Sequence, residues 1–129
     1  MTLPFPSIEQ AVKDLISLTY PPAANKIGGD YRFQAGQDLY VWLSLVPGGS
    51  TDRVNGTWTL DVDIFGATYG GTMAHALALE AAILGPLRPT ATMVIDNVYQ
   101  NIAPSQRPWE DDSVFRIGAT YVFTARRSG

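Results

Sequence analysis

Two aspartates separated by one residue, Asp61 and Asp63, are the pair in this chain best spaced for chemistry. On a β-strand residues i and i+2 share a face, so the two carboxylates would stand about 7 Å apart. Such a pair suits a divalent cation or an acid/base couple. No histidine or third carboxylate lies near them in sequence, and Asp and Thr are ordinary residues on the solvent face of a strand. The single histidine, His75, has Thr72 and Glu80 for polar company, with no cysteine and no Gly-x-Ser-x-Gly elbow to supply a nucleophile. Gly48-Gly49-Ser50 and Gly70-Gly71-Thr72 lack the lysine and spacing of a phosphate-binding loop and read as turns. Lys26, Arg53 and Arg126-Arg127 are scattered, without the interleaved aromatics used to grip single-stranded nucleic acid. The expectation is no catalytic set, no metal and no cofactor, in a chain that is not an enzyme.

Composition narrows the classes further. A chain of 129 residues with 46% hydrophobic and 16% charged residues is expected to form one domain spanning 1–129. Twelve acidic residues against nine basic ones, a formal net charge of −3, argue against a surface that holds nucleic acid. The absence of cysteine removes disulfides, thiolate nucleophiles and zinc–thiolate sites together. The opening Met-Thr-Leu-Pro-Phe-Pro has neither a basic segment nor an apolar core, so no signal peptide is expected. No stretch approaches the roughly 20 apolar residues that span a membrane, and no membrane partner is expected.

The elements that must position these residues are legible by period and punctuation. Ser7-Ile8-Glu9-Gln10 fits a capping box, followed by Ile8, Val12, Leu15 and Ile16 at helical spacing and a stop at Pro21-Pro22. Residues 23–36 read as a loop, with a short strand near Tyr31 to Gln34. Leu39 to Val46 reads as a strand with Leu39, Val41, Leu43 and Leu45 on one face and Tyr40, Trp42 and Ser44 on the other. Pro47, Gly48, Gly49, Ser50, Thr51 and Asp52 are turn formers, and Asn55-Gly56 is a second turn signal, so a hairpin tip is expected at either end of 47–56. The next strand puts Trp58, Leu60, Val62 and Ile64 on one face, and Thr57, Thr59, Asp61 and Asp63 on the other. A helix then spans Thr72 to Leu84, closed by Gly85 and Pro86. Met93 to Ile102 alternates unevenly, so that Ile95 and Val98 share a face only with a bulge. Ala103 to Asp112, with two prolines and Glu110-Asp111-Asp112, reads as a solvated loop or second hairpin arm, and Phe115 to Ala125 alternates strictly. Hairpins on either side of a helix predict an α+β domain: a mainly antiparallel sheet, two helices packed on it and a long β-hairpin arm.

The second helix is apolar nearly all the way round. At about 100° per residue Met73, Leu77, Ala81 and Leu84 form one arc, assigned here to the sheet, while Leu79 and Ile83 fall on the opposite side. Either a neighbouring subunit covers Leu79 and Ile83, or the 23–36 loop folds over them.

Four stretches together resemble the tail terminator (tail completion) proteins of long-tailed, non-contractile bacteriophages. They are the short amphipathic helix at Ser7, the strand Leu39 to Val46 with its long hairpin into Trp58 to Phe65, the Ala-rich helix directly after it, and the closing strand Phe115 to Thr124. Asp61-Val62-Asp63-Ile64-Phe65 followed at once by a helix is the most specific part, while the uneven strand from Met93 and the proline-rich Ala103 to Pro108 depart from the pattern. The resemblance implies a virion structural protein at the head-proximal end of the tail, assembled in the host cytoplasm. It would form a homo-hexameric ring that caps the tail tube protein, stops its polymerisation and docks the head–tail connector (neck) protein, with DNA passing through without specific binding. On that view Pro47, Gly48, Gly49, Ser50, Thr51, Asp52 and Arg53 form the arm that contacts the tube or a neighbour. Leu79 and Ile83 would then meet the next subunit, while Asp61 and Asp63 would face the lumen, where like charge keeps the duplex from sticking. The rivals are another head–tail connector or minor tail protein, and a generic α+β protein-binding module.

Overall fold

A computed structural model of the chain describes residues 7–34, 37–51, 55–90, 93–111 and 113–127, the side chains of 85–89 and 127 excepted. Helix α1 spans Ile8–Thr19, with the Ser7 hydroxyl accepting from the Gln10 backbone N–H at 3.3 Å. The capping box is only half made, because the Gln10 side chain donates forward to Asp14 at 2.9 Å instead of back to Ser7. Ile8, Ala11, Val12, Leu15 and Ile16 are buried, and a single 3₁₀ turn at Pro21–Ala23 ends the run.

Six strands follow: β1 Ile27–Gly28, β2 Tyr40–Thr51, β3 Asn55–Gly66, β4 Gly85–Pro89, β5 Met93–Arg107 and β6 Phe115–Arg127. Helix α2, Tyr69–Ile83, links β3 to β4. The strands form one sheet in the order β1-β2-β3-β6-β5-β4, antiparallel except for the two-residue β1, which runs parallel to β2. The α+β class and mainly antiparallel sheet are therefore as expected. The short strand lies at Ile27–Gly28 and not at Tyr31 to Gln34, and the edge strand β4 was not anticipated.

Between β2 and β3 the hairpin is longer than its turn signals suggest. Pro47 to Thr51 belong to β2, where the register shifts between Val46 and Ser50 and Gly48 adopts φ 112°. Asn55-Gly56 belong to β3, and the expected contacts Asp52 and Arg53 lie outside the described residues.

The bulge required of β5 is present. Ile95 pairs with Ala125 and Asn97 with Thr124, which leaves Asp96 as the extra residue and turns both Ile95 and Val98 into the core. Of the two readings of 103–112, loop or second hairpin arm, the arm holds for Ala103 to Arg107, which continue β5 against β6 through further register shifts, and Pro104 is tolerated at one of them.

Helix α2 corrects the face assignment. Thr68 caps it, accepting from Gly71 at 3.1 Å, so it begins three residues earlier than expected. The buried arc is Thr72, Ala76, Leu79 and Ile83, whereas Leu77 is 53% exposed. Leu79 and Ile83 are 1% and 0% exposed and turned into the chain's own core, so they cannot be the outward pair. The reason is that both arcs of the helix are apolar, leaving the choice to fit. Thr72 is small enough to pack on Gly66, where an added Cβ would lie 3.3 Å from the Thr72 Cβ and closer to its hydroxyl. Its hydroxyl donates to the Thr68 carbonyl at 2.6 Å and needs no solvent. Glu80 accepts from the buried Tyr121 hydroxyl at 2.7 Å and from Gln100 at 2.9 Å, pinning α2 to the sheet.

Candidate functional site

Alternation gives the sheet two faces. One carries Val41, Leu43, Leu60, Val62, Ile64, Ile117, Tyr121 and Phe123 and belongs to the core. The other carries Asp61 and Asp63 on β3, and register brings Asp61 beside Thr120 and Asp63 beside Gly118 on β6. The two aspartates thus share a face, as their spacing predicts.

They are not a free carboxylate pair. Arg107, from the end of β5, reaches across Gly118 and donates to Asp63 Oδ1 at 3.2 Å and to Thr120 Oγ1 at 3.3 Å, with Asp61 Oδ1 at 3.6 Å. Thr120 in turn donates to Asp61 at 2.5 Å. Arg116 closes the other side, its Nη2 3.0 Å from Asp63 Oδ2. Two carboxylates and two guanidiniums balance, and Asp63 is only 1% exposed. A carboxylate so enclosed is held by its partners, and loss of one partner from a buried pair costs about 3–5 kcal/mol. This corrects the picture of Asp63 as an open acidic group: its charge is spent inside the fold. Asp61 stands at the margin, its side chain 33% exposed.

Gly118 makes the network possible. A Cβ there would lie 2.5 Å from Arg107 Cδ, and closer still to Arg107 Nε and Asp63 Oδ1. An aromatic cluster supports Arg116 from the loop side. Its guanidinium carbon lies 5.3 Å from the Trp109 ring centre and 5.8 Å from that of Trp42. Tyr31, Phe65 and Trp109 pack with ring centres 4.7 to 5.0 Å apart. Arg116 Nε is buried without a hydrogen-bond acceptor among the described residues. The cluster folds segments 29–34 and 108–111 over the end of this face, which is why Phe65 is fully buried.

The remaining sequence candidates fall elsewhere. His75 Nδ1 lies 2.5 Å from the Tyr20 hydroxyl, joining α2 to the end of α1. Gly70, Gly71 and Thr72 lie in the first turn of α2, and Gly48 to Ser50 lie in the β2 irregularity. Arg126 pairs with Asp96 at 3.0 Å. Asp111 accepts from the Ser113 hydroxyl and backbone N–H, which together hold its carboxyl below the usual range. Burial first, and then the hydrogen bond to Glu80 and its charge, push the Tyr121 phenol well above its ordinary value. Among the described residues no group of three or more His, Cys, Asp or Glu could hold a metal ion. A cleft of about 410 Å³ between α1 and residues 25–34 is lined by Lys13, Lys26, Asp30 and Arg32, among others. Lys26 and Arg32 there are paired with Asp38 and Asp30.

Arg107, Arg116, Gly118 and Thr120 had drawn no attention in sequence. The polar side of the strictly alternating last strand was the available signal for three of them. Arg107 had none, because the proline-rich stretch around it reads as a loop or hairpin arm of no defined register.

No protein-family model and no curated protein matches the sequence. The structure is similar to a chain in the solved virion of native gene transfer agent (GTA) particle. The TM-score is 0.60 at 15% identity, over 95% of this chain and 98% of that one. At that identity the likeness is one of fold, and it extends over nearly the whole of both chains.

Proposed function

We propose that this chain is a virion structural protein, a tail terminator subunit that assembles as a homo-hexameric ring. In this role it caps the tail tube, stops its growth and offers the docking face for the head–tail connector, at the head-proximal end of the tail. The observation that carries the proposal is the near full-length fold likeness to a chain of a GTA virion. The long β2–β3 hairpin adds support, since Pro47 to Thr51 are exposed and stand free to meet a tube or a neighbour. With Leu79 and Ile83 enclosed, Leu77 on the outward side of α2 takes their place as the contact with the next subunit. Another connector or minor tail protein fits the same fold likeness, because the likeness does not single out one ring of the particle.

The test is native mass across a wide concentration range, with and without isolated tail tubes. Six copies of a 14.0 kDa chain give a species near 84 kDa, alone or on tubes. Leu77→Glu should weaken that species while the monomer stays folded. A monomer or dimer that also ignores the tubes overturns the proposal.

A further inference from the structure

At one edge the sheet ends on β1, which is only two residues long. Val41 donates to the Lys26 carbonyl at 2.8 Å, and register sets Ile27 against Val41 and Gly28 against Trp42. In a parallel ladder a residue bonds to those on either side of its partner, so Val41 engages Lys26 and Gly28. The N–H and C=O of Ile27 therefore point away from β2, as the groups of an edge strand do. The cleft of about 410 Å³ runs along this edge, with Ile27 in its lining. Its walls come from opposite faces of the sheet. Lys13 stands on α1, on the helix side, whereas Arg32 follows Tyr31, whose ring packs on Phe65 on the helix-free side.

Charge sets the kind of partner. Among the described lining residues Lys13, Lys26 and Arg32 stand against one carboxylate, Asp30, in a chain whose net charge is −3. Lys13 has no ion-pair or hydrogen-bond partner among the described residues. Lys26 lies 3.5 Å from Asp38 and Arg32 3.0 Å from Asp30, and the side chains of these pairs are 39% to 76% exposed. Pairs so exposed are worth little and exchange readily for another carboxylate, unlike the enclosed network around Asp63. Glu9 bounds the site at Gly29, its Oε2 3.3 Å from the position of an added Cβ there. We infer that this edge docks an extended acidic peptide segment of another protein, which adds a strand outside β1 by bonding to Ile27 and sets carboxylates against Lys13 on one face and Arg32 on the other. Neighbouring residues of a strand point to opposite faces, so two adjacent acidic residues reach both walls and two separated by one residue do not. The site does not depend on the proposed ring.

The test uses the full chain and a labelled peptide of about eight residues, an ordinary strand length, with two adjacent glutamates among threonines and valines. Anisotropy at low salt should show saturable binding below about 1 mM. Peptides with glutamines in their place, or with the glutamates one residue apart, should bind more weakly. Lys13→Gln and Arg32→Gln, folded by circular dichroism, should each weaken binding by about 1.5–5-fold and together by about 2–30-fold, the range for exposed ion pairs. Methylating alternate backbone nitrogens of the peptide should abolish binding in one frame and spare it in the other, because an added strand bonds along one edge. The inference is overturned by no saturable binding, by a double variant that binds as tightly as wild type, or by methylation that is indifferent in both frames. Inorganic phosphate that displaces the peptide at equal concentration also overturns it, leaving a simple anion pocket. So does a rise of mass with concentration that Lys13→Gln abolishes while no peptide binds, which gives the edge to a second copy.

Discussion

Gly118→Ala tests the charge network at its narrowest point. The added methyl would lie 2.5 Å from Arg107 Cδ and nearer to Arg107 Nε and Asp63 Oδ1, so the guanidinium must swing off the sheet. Arg107 then loses its bonds to Asp63 at 3.2 Å and Thr120 at 3.3 Å, while Arg116 still holds Asp63 at 3.0 Å. A hydrogen bond to a charged group contributes about 1.5–3 kcal/mol. Crowding a packed site costs about 1–3 kcal/mol more. Against this, alanine lowers the entropy of the unfolded chain by about 0.4–1 kcal/mol. The balance is a loss of about 1.5–5.5 kcal/mol. For a chain of this length that is about 3–5 °C in Tm per kcal/mol, or a fall of about 5–28 °C. Urea unfolding followed by tryptophan fluorescence should show a lower midpoint with an unchanged m-value. Gly70→Ala is the control, since nothing lies within 4 Å of its Cβ position and it sits in the first turn of α2. That swap should be neutral or stabilising by up to about 1 kcal/mol. A Gly118→Ala midpoint no lower than that of Gly70→Ala would show that Arg107 is not held over Gly118.

Two further outcomes follow from the packing of α2. Leu79→Ala should cost about 2–5 kcal/mol, while Leu77→Ala should stay within about 0.5 kcal/mol in the monomer. The reverse ranking in urea melts would restore the arc that the sequence favours. The second concerns alkaline pH. The folded pKa of Tyr121 is raised, so its contribution to stability is complete below the ordinary tyrosine value near pH 10 and is lost as pH rises through the folded value. Tyr20, Tyr31 and Tyr40 are raised too, each chiefly by burial. Tyr121→Phe should therefore lessen the fall of the urea midpoint above about pH 10 without abolishing it, and an unchanged pH slope would count against burial as the cause.

Legibility in the sequence tracked how local each constraint is. The strict alternation of β6 and the i, i+2 placement of Asp61 and Asp63 depend on period alone, and both appear as expected. The bulge at Asp96 was legible because Ile95 and Val98 cannot otherwise both face inward. The buried arc of α2 was not, since a helix apolar on both sides contains no local vote between them. Strand β4, with prolines at Pro86 and Pro89, forms as an edge strand paired only to β5. The partners of Asp63 were hidden for a related reason. Arg107 reaches its place through register shifts along β5, a long-range fact that no window around Pro104 contains.

Those register shifts have a geometric consequence. Strands β3 and β6 pair residue for residue over twelve positions without interruption. On one flank the fifteen residues of β5, Met93 to Arg107, lie against the twelve from Arg116 to Arg127, a surplus of three. On the other, the twelve of β2, Tyr40 to Thr51, lie against the ten from Gly56 to Phe65, a surplus of two. At about 3.3 Å per residue, each flank carries roughly 7–10 Å of contour that its inner neighbour lacks. The excess is taken up as bend and added twist, so the curl of the sheet is set by counting residues. It also divides the chain by its tolerance of length change. The flanks can shed surplus residues such as Asp96 and keep every remaining side chain on its own face. Losing a single residue from the middle of β3 or β6 would instead carry part of the charged network to the oily side of the sheet.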